Sequence, residues 1–347
     1  MTSLKRWMKR ILIGVLVLVA TAIVIGAGYE ARMRRQTAID YPAPGRLVDV
    51  GGRRIQLDCR GSGSPLVVLE AGGDTKGSLA WAKVHDSIAV TTRTCAYSRA
   101  GVMWSDDNPG PQSATMVATD LRAALVAGGE QPPYVMVGHS LGGPYIMTFT
   151  KLHLADVAGL VFVDASHPEQ FQRFNDALGR KVEVPAGLMR AMRAGAALAW
   201  TGIIRVGLLL AGPASADRVV RTVLAYTPTS LGPLLEEVDA IPATMAEAGS
   251  FRLLGDRPLV VLTAMAPPDT AMLKQMKMTR EENLKYRAAW KALHDEEASW
   301  STQSEHILVP DASHYIQDDR PDIVIAAVRK VVGLVRSPVT VPPGTPR

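Results

Sequence analysis

Short apolar runs recur along the chain after residue 46, and each ends near a glycine, an aspartate or a serine. The runs at 47–50 and 54–59 flank a Gly-Gly pair and predict a β-hairpin. The later runs are continuous rather than alternating, which is typical of strands buried on both faces of a parallel sheet. They occupy residues 66–69, 94–97, 134–137, 160–163, 259–262 and 306–309.

Helix-like stretches lie between these runs. Residues 113–127 and 144–154 fall between predicted strands, and 321–335 follows the last one. The third stretch begins with Pro321, which suits the first turn of a helix. Strands that alternate with helices predict an α/β fold with a doubly wound, mostly parallel sheet.

One region interrupts the alternation. About ninety residues, rich in Ala, Leu, Met and Arg, separate the strand ending at Asp164 from the one starting near Pro258, which is far longer than a usual connection. We interpret it as an inserted helical cap. Within the cap, the apolar run 203–211 is too short to cross a bilayer, and either lines a pocket or contacts a membrane surface. The predicted organisation is a membrane anchor and linker at 1–36, the first part of the core at 37–167, the cap at 168–257, the last part of the core at 258–337, and a flexible tail at 338–347.

The N-terminal segment carries the positive charge of the chain. The whole chain has a formal charge of +5, and residues 1–36 hold seven basic residues against Glu30. The remainder is slightly acidic, so the charge gives no reason to expect a nucleic-acid partner.

Residues 11–28 form an uncharged apolar stretch close to the lower limit for a membrane-spanning helix. Basic residues precede it, which predicts a cytoplasmic N-terminus and an extracytoplasmic body. The alternative is a cleaved signal peptide and a secreted protein, with small residues at Ala20 and Ala22 or at 26–28 near the cleavage site. The length of the apolar stretch favours the uncleaved anchor.

The two cysteines, Cys59 and Cys95, are too few for a zinc site. They are either small buried hydrophobic residues or a disulfide, which an extracytoplasmic body would permit. No metal-ligand cluster and no dinucleotide-binding motif is visible in the sequence, so no metal and no cofactor is expected.

The strongest chemical motif is Gly138-His-Ser-Leu-Gly142, which follows an apolar strand and precedes a helix. This is the G-x-S-x-G nucleophile elbow in the structural setting that it requires. Residues larger than glycine at 138 and 142 would clash in so tight a turn. Ser140 is the predicted nucleophile, and the backbone N–H of Leu141 is a predicted oxyanion donor.

A serine hydroxyl needs a base. His314 follows the last predicted strand and precedes the helix at Pro321, which is where the base belongs when the chain order is Ser, acid, His. His306 begins that strand and lies at its wrong end. His139 is expected to pack rather than react.

The segment from Cys95 to Ser105, CAYSRAGVMWS, resembles a strand and loop with the pattern Y-D-R-x-G-x-G-x-S. Ser98 stands in place of the Asp, and Met103 in place of the second Gly. Together with the elbow, this segment makes residues 46–337 similar to the α/β-hydrolase superfamily, and in particular to its serine hydrolases and esterases. The resemblance implies an eight-stranded sheet in which the second and fourth strands are neighbours, so a disulfide between the two cysteines would be allowed if their registers match.

The resemblance also implies a second oxyanion donor after a His-Gly pair that follows the third strand. Here Ala71 replaces the His and Gly72 takes the Gly position, so the donor would be the N–H of Gly73. Glu70 is unusual at the end of a buried strand, and we expect loop backbone N–H groups to satisfy it.

Two aspartates compete for the role of the acid. Asp269 follows the strand after the cap but lies late, and the usual Gly-x-x-Asp is absent. Asp164 follows the strand next to the nucleophile strand, where some members of the superfamily keep their acid. We favour Asp164; Asp311 is too close to His314 in sequence.

The predicted function is hydrolysis of a small-molecule carboxylic ester, with a lipophilic acyl group, through an acyl-enzyme on Ser140. Alternatives that use the same triad are an amidase, a peptidase or a perhydrolase. The alternative from another class is a non-catalytic binding protein of this fold.

Overall fold

The computed structural model describes residues 2–108, 110–182, 186–211, 217–275 and 277–337. The strands are β1 (Arg46–Asp49), β2 (Arg54–Arg60), β3 (Leu66–Glu70), β4 (Thr94–Ser98), β5 (Tyr134–His139), β6 (Val157–Val163), β7 (Leu259–Ala264) and β8 (Ser304–Val309). The helices are α1 (Thr2–Asp40), α2 (His85–Ala89), α3 (Ala114–Ala127), α4 (Gly142–Leu152), α5 (Gln170–Leu178), α6 (Ala186–Leu198), α7 (Ile203–Leu210), α8 (Arg218–Gly249), α9 (Thr270–Gln275), α10 (Arg280–Ala298), α11 (Ile316–Asp319) and α12 (Pro321–Arg336). Short 3-10 helices occupy Gly77–Trp81 and Ala199–Thr201.

All eight strands form one sheet in the order β1-β2-β4-β3-β5-β6-β7-β8. Strand β2 is antiparallel to β1 and β4, and the other neighbours are parallel. The predicted eight-stranded, mostly parallel sheet is therefore confirmed. Its parallel strands bring their carboxyl ends to one edge, which gathers Glu70, His139 and Val163 near one another.

Burial on both faces of the sheet explains the continuous apolar runs of β3 to β7. The run at 306–309 corrects the expectation, because it lies in the edge strand β8, of which only Val309 is buried. Successive side chains of a strand point to opposite faces, and the core accordingly divides into two clusters. Val68 and Met136 pack with residues of α3 and α4, whereas Val67 and Val135 pack with residues of α2 and α12. Each of the strands β3 to β7 thus contributes side chains to both clusters.

Cys59 and Cys95 lie directly opposite each other in the pairing of β2 with β4, and they form a disulfide. The hairpin strand β2 is thereby linked covalently to the parallel part of the sheet. Of the two interpretations of these cysteines, the structure contains the bonded one.

Four helices, α5 to α8, lie between β6 and β7, where the sequence predicts a cap. Contacts within the chain define two units, one of Met1–Ala43 with Val184–Gly232 and one of Pro44–Glu183 with Pro233–Arg347. The boundary at Gly232 falls inside α8. The sheet belongs entirely to the second unit. The tail predicted at 338–347 lies outside the described residues.

The N-terminal helix is the one described helix that by itself is long and apolar enough to cross a membrane, over Leu4–Asp40. None of its most apolar window is buried. The pair Ala186–Thr201 and Ile203–Leu210 passes the same test only when the two are taken together, and they meet at an angle of 106°.

Candidate active site

Ser140 stands on the turn between β5 and α4, with a φ of 51°. This left-handed conformation is costly for a residue with a side chain and is found at functional turns. A Cβ at position 138 would lie 2.7 Å from the carbonyl oxygen of Gly142, and one at 142 would lie 2.6 Å from the carbonyl oxygen of Glu70. Both glycines are therefore required by the turn, as the motif predicts.

Ser140 belongs to a continuous hydrogen-bond relay. Its Oγ lies 2.9 Å from His314 Nε2, and His314 Nδ1 lies 2.6 Å from Asp164 Oδ2. The arrangement has the geometry of a nucleophile, a base and an acid that orients the base. The structure thus brings together three side chains that are 24 and 150 residues apart in sequence.

Asp164 is positioned at the end of β6 with a φ of 45°. Its second oxygen, Oδ1, accepts hydrogen bonds from Ala264 N and from Trp290 Nε1, each at 2.9 Å. Burial favours the neutral acid, but the hydrogen bond to His314 and the nearby His294 outweigh it, so the pKa of Asp164 lies below its usual value. Asp164 is accordingly held as a carboxylate.

The other aspartates considered as acids have different contacts. Asp269 is exposed and accepts a hydrogen bond from Met272 N at the start of α9. Asp311 binds Arg320 through both carboxylate oxygens. The carboxylate bonded to His314 is that of Asp164.

The expected oxyanion donors adjoin the nucleophile. Leu141 directly follows Ser140, and a Cβ at Gly73 would lie 3.3 Å from Leu141 Cδ2. Both residues line a cavity of about 210 Å³ together with Ser140. A Cβ at Gly72 would lie 2.9 Å from His139 Nδ1, so this loop approaches the elbow too closely for a larger residue at 72.

A buried guanidinium fixes the loop that carries Gly73. Arg99 Nη1 donates to Glu70 Oε1 and to Ala71 O, each at 2.8 Å, and Nη2 donates to Gly72 O at 2.6 Å. Arg99 Nε and Nη2 also donate to the two oxygens of Glu237 on α8, at 2.7 and 2.8 Å. These five contacts match the five N–H donors of an arginine.

Glu70 corrects one expectation from the sequence. Loop backbone N–H groups do not satisfy it; its carboxylate is bonded to the Tyr97 hydroxyl and to Arg99. A fully buried carboxylate needs hydrogen-bond donors or a cation to offset the loss of water, and the Tyr97-Ser98-Arg99 segment supplies a hydroxyl and a guanidinium. Burial raises the pKa of Glu70 to about 7.

The ring of His139 supports the base by a hydrogen bond to the backbone of His314. Its Nε2 donates to the carbonyl oxygen of His314 at 2.9 Å, and the two rings lie 4.7 Å apart. Burial, and then the neighbouring His314, lower the pKa of His139 to about 3. A neutral ring of this kind packs and donates one hydrogen bond, in line with the role expected of it.

Comparison with known proteins identifies the family of the chain. The model of the alpha/beta hydrolase family matches residues 55–327, which is most of the chain. The chain belongs to this family. A thermophilic esterase from Thermogutta terrifontis has a similar fold, with a TM-score of 0.52 at 17% identity over 84% of this chain and 99% of that one; an identity this low shows the fold alone.

Curated relatives share shorter stretches with this member of the alpha/beta hydrolase family. A probable transporter of Hormonema carpetanum is 36% identical over 135 residues, 37% of this chain and 19% of that protein. An uncharacterized vacuolar membrane protein of Saccharomyces cerevisiae is 33% identical over 108 residues, 30% of this chain and 17% of that protein. The chain thus matches about a fifth of the length of these relatives.

Among the described residues, two cavities open at Ser140. The smaller, of about 210 Å³, has an aliphatic wall from α8, formed by Leu234, Val238, Ile241 and Met245. The larger, of about 590 Å³, is lined by His314 and Asp164 and by the aromatic side chains Phe174, Tyr286 and Trp290. The phenyl ring of Phe174 lies 4.3 Å from that of Tyr286 and 5.5 Å from the indole of Trp290.

Sequence reasoning missed three supporting residues. Arg99 lies in the motif that carries the family resemblance, and its position after a buried strand is a signal that could have paired it with Glu70. Trp290 and Glu237 lie on helices with no local motif, 126 residues from Asp164 and 138 from Arg99. Only the tertiary structure brings them to the site.

Proposed function

We propose that this protein hydrolyses carboxylic esters through an acyl-enzyme on Ser140. The observation that supports this proposal is the hydrogen-bonded relay from Ser140 through His314 to Asp164, which is open to two cavities. The alpha/beta hydrolase family, to which the chain belongs, supports a hydrolase.

In the first half-reaction, Ser140 Oγ attacks the ester carbonyl carbon while His314 Nε2 takes the hydroxyl proton. The negative charge that develops on the carbonyl oxygen is stabilised by the N–H groups of Gly73 and Leu141. The bond from the carbonyl carbon to the alcohol oxygen then breaks, and His314 returns the proton to that oxygen. Asp164 holds the imidazole in the orientation that this exchange needs.

In the second half-reaction, water replaces the alcohol. His314 takes a proton from the water as its oxygen attacks the acyl carbon, and the proton passes to Ser140 Oγ when the acyl bond breaks. The carboxylic acid leaves and the enzyme returns to its starting state.

The two cavities support a proposed location for each half of the ester. The leaving oxygen must face His314, which lines the larger cavity, so the alcohol part occupies the aromatic cavity. The acyl part then occupies the smaller, aliphatic cavity beside Gly73 and Leu141. We therefore propose a short or medium aliphatic acyl group and a larger, partly aromatic alcohol group.

The proposed location is a membrane, with α1 as the anchor and the sheet-bearing unit outside the cytoplasm. The apolar stretch of α1, the basic residues before it and the description of a yeast relative as a membrane protein support membrane association. The Cys59–Cys95 disulfide favours an oxidising compartment. Secretion after cleavage of the N-terminal segment is the alternative.

The test is hydrolysis of p-nitrophenyl esters of graded acyl length by the full chain in detergent, beside Ser140→Ala. We expect activity that peaks at short or medium acyl groups and is lost in Ser140→Ala. Labelling by a fluorophosphonate probe should require Ser140 as well. Labelling without ester hydrolysis would favour an amidase, a peptidase or a perhydrolase, and an unlabelled but folded protein would favour a binding function.

A further inference from the structure

Helix α1 has an uncovered part and a covered part. The apolar window of the helix is not buried against the described residues. From Gly26 onward, α1 contacts the segment that precedes α7: a Cβ at Gly26 would lie 2.3 Å from the carbonyl oxygen of Thr201, so only glycine permits this approach. Gly202, at a φ of 78°, lies against the same turn of α1, with its Cβ position 3.2 Å from the carbonyl oxygen of Gly26.

A buried ion pair fixes the contact. Arg205 on α7 donates through Nε and Nη2 to the two oxygens of Glu30, at 2.8 and 3.1 Å, and both residues are almost fully buried. Arg205 Nη1 also donates to Ala225 O at 3.1 Å. Helix α7 is therefore held at one level of α1, directly after the apolar stretch 11–28.

The opposite side of α7 is apolar and exposed. Ile203, Val206, Leu209 and Leu210 are between 43% and 82% exposed, and their spacing places them along one stripe of the helix. Leu198 and Trp200, just before α7, are about half exposed as well. We call these six residues the apolar stripe. Arg205, the charged residue of α7, is buried while the apolar stripe is exposed, which reverses the arrangement of a water-facing helix.

The position of the stripe along α1 corresponds to a membrane boundary. Trp7, among basic residues, and Gly26, beside the stripe, are 19 residues apart, which is a rise of about 29 Å along a helix. The hydrocarbon core of a bilayer is about 30 Å thick, and tryptophans concentrate at its two boundaries. Trp7 and Trp200 are therefore placed to mark the two boundaries.

We propose that the apolar stripe is a lipid-binding surface, inserted into the bilayer boundary where α1 leaves the membrane. A helix with one apolar stripe lies in that plane with the stripe toward the acyl chains. The occupant is lipid because the stripe is continuous with the uncovered apolar surface of α1. The inference rests on the membrane anchor of the proposed function but not on its chemistry.

The test uses single cysteines labelled with an environment-sensitive fluorophore in the full chain, in phosphatidylcholine and phosphatidylglycerol vesicles. The native cysteines are paired, so an introduced cysteine is the free thiol. The variants are Leu209→Cys in the stripe, Val17→Cys in the apolar part of α1, and Val90→Cys as an exposed control in the other unit. Nitroxides attached to lipids at shallow or deep positions report contact with each zone of the bilayer.

We expect shallow nitroxides to quench roughly half of the emission of the label at 209, since such a helix inserts only 5–10 Å into the bilayer. Deep nitroxides should quench the label at 17. Neither kind should quench the label at 90. If the label at 209 is as insensitive to quenching as the label at 90, while the label at 17 is quenched, the membrane anchor is supported and the proposed lipid-binding surface is overturned. Blue-shifted emission at 209 that is insensitive to all nitroxides would mean a protein contact, including a second copy of the chain, and would also overturn it. Shallow quenching at 209 without quenching at 17 would reject the spanning helix, and would overturn the placement of the stripe at the point where α1 leaves the membrane. Ester hydrolysis, measured separately, decides the chemistry.

Discussion

The indole of Trp290 donates a hydrogen bond to Asp164 Oδ1 at 2.9 Å, on the side of the carboxylate away from His314. This bond and the one from Ala264 N leave the other oxygen, Oδ2, to His314. Trp290 thus fixes the orientation of the proposed acid and also forms part of the aromatic cavity. One side chain serves both the relay and the substrate site.

Trp290→Phe should lower kcat while leaving the fold intact. The phenyl ring can retain the packing against Phe174, but the hydrogen bond to a charged oxygen is lost, which is worth roughly a tenfold effect. The matched control is Trp300→Phe, because Trp300 is also a buried tryptophan and packs on Phe162. This variant should keep the kcat of the wild type. Equal effects of the two substitutions would reject a specific role for the indole N–H.

Asp164→Asn should reduce kcat by roughly four orders of magnitude, because the amide stabilises the wrong tautomer of the base. Asp269→Asn should remain close to the wild type, since its carboxylate is exposed and accepts a hydrogen bond from Met272 N at the start of α9. The measurement is the kcat of the two variants and the wild type in steady-state hydrolysis of one p-nitrophenyl ester. Loss of activity in Asp269→Asn alone would move the acid to the later strand.

Arg99→Lys should lower kcat by roughly ten- to a hundred-fold with a smaller change in KM. A lysine has three donors instead of five, so the Ala71 and Gly72 carbonyls lose part of their support and the Gly73 N–H is less well placed for the oxyanion. Arg93→Lys, at the partly buried pair with Glu130, controls for the substitution itself. A change confined to KM would contradict a role in stabilising the transition state.

Acid should destabilise the protein partly through His167. Burial, followed by the charge of Arg252, lowers the pKa of His167 to about 3, whereas an unfolded histidine titrates near 6.5. Between these values the unfolded chain binds a proton that the folded chain does not, so this contribution to stability is complete above about pH 6.5 and declines as the pH falls. The loss from pH 7 to pH 5 is about 2 kcal/mol for this one group.

The variant His167→Asn can still accept the hydrogen bond that Glu169 N donates to Nδ1 at 3.0 Å, but it does not titrate. Thermal melting in detergent at pH 7 and pH 5 should show a smaller fall in Tm for the variant than for the wild type. An equal fall in Tm for the variant and the wild type would mean that His167 does not contribute to the acid sensitivity of the protein.

Removing the disulfide should destabilise the sheet-bearing unit. The bond closes a loop of 36 residues, and loop closure of this length is worth about 3–4 kcal/mol. Urea unfolding of Cys59→Ala with Cys95→Ala should show a lower midpoint than the wild type, and reduction of the wild type should reproduce the shift. An unchanged midpoint after complete reduction would count against this contribution.

Periodicity predicted the sheet because burial on both faces leaves a visible mark, a continuous apolar run. The elbow was predictable for a related reason: Gly138, Ser140 and Gly142 are local, and the turn tolerates few residue types. Cys59 and Cys95 could be placed on neighbouring strands, but their register could not be read from the sequence.

The partners of the site residues were harder to predict because they depend on helices far along the chain. Glu70 was recognised as unusual, yet its partners were assigned wrongly. The sequence around Glu70 does not distinguish a backbone donor from a guanidinium, and the available signal, the position of Arg99 directly after another buried strand, was not used. Glu237 and Trp290 lie on amphipathic helices whose pattern reports only which face is buried. Their hydrogen bonds follow from how α8 and α10 pack on the sheet.

The two cavities at Ser140 have walls from different elements, and this has a consequence for how the protein could diversify. The aliphatic wall comes from α8, and much of the aromatic wall from α10. The two cavities have Ser140, Ser166 and Gln170 in common, but Ile241 lines only the smaller one and Tyr286 only the larger one. The energetic effects of substitutions at these two positions should therefore be close to additive. Selection, natural or in the laboratory, could then exchange one half of the accepted substrate while inheriting the other unchanged.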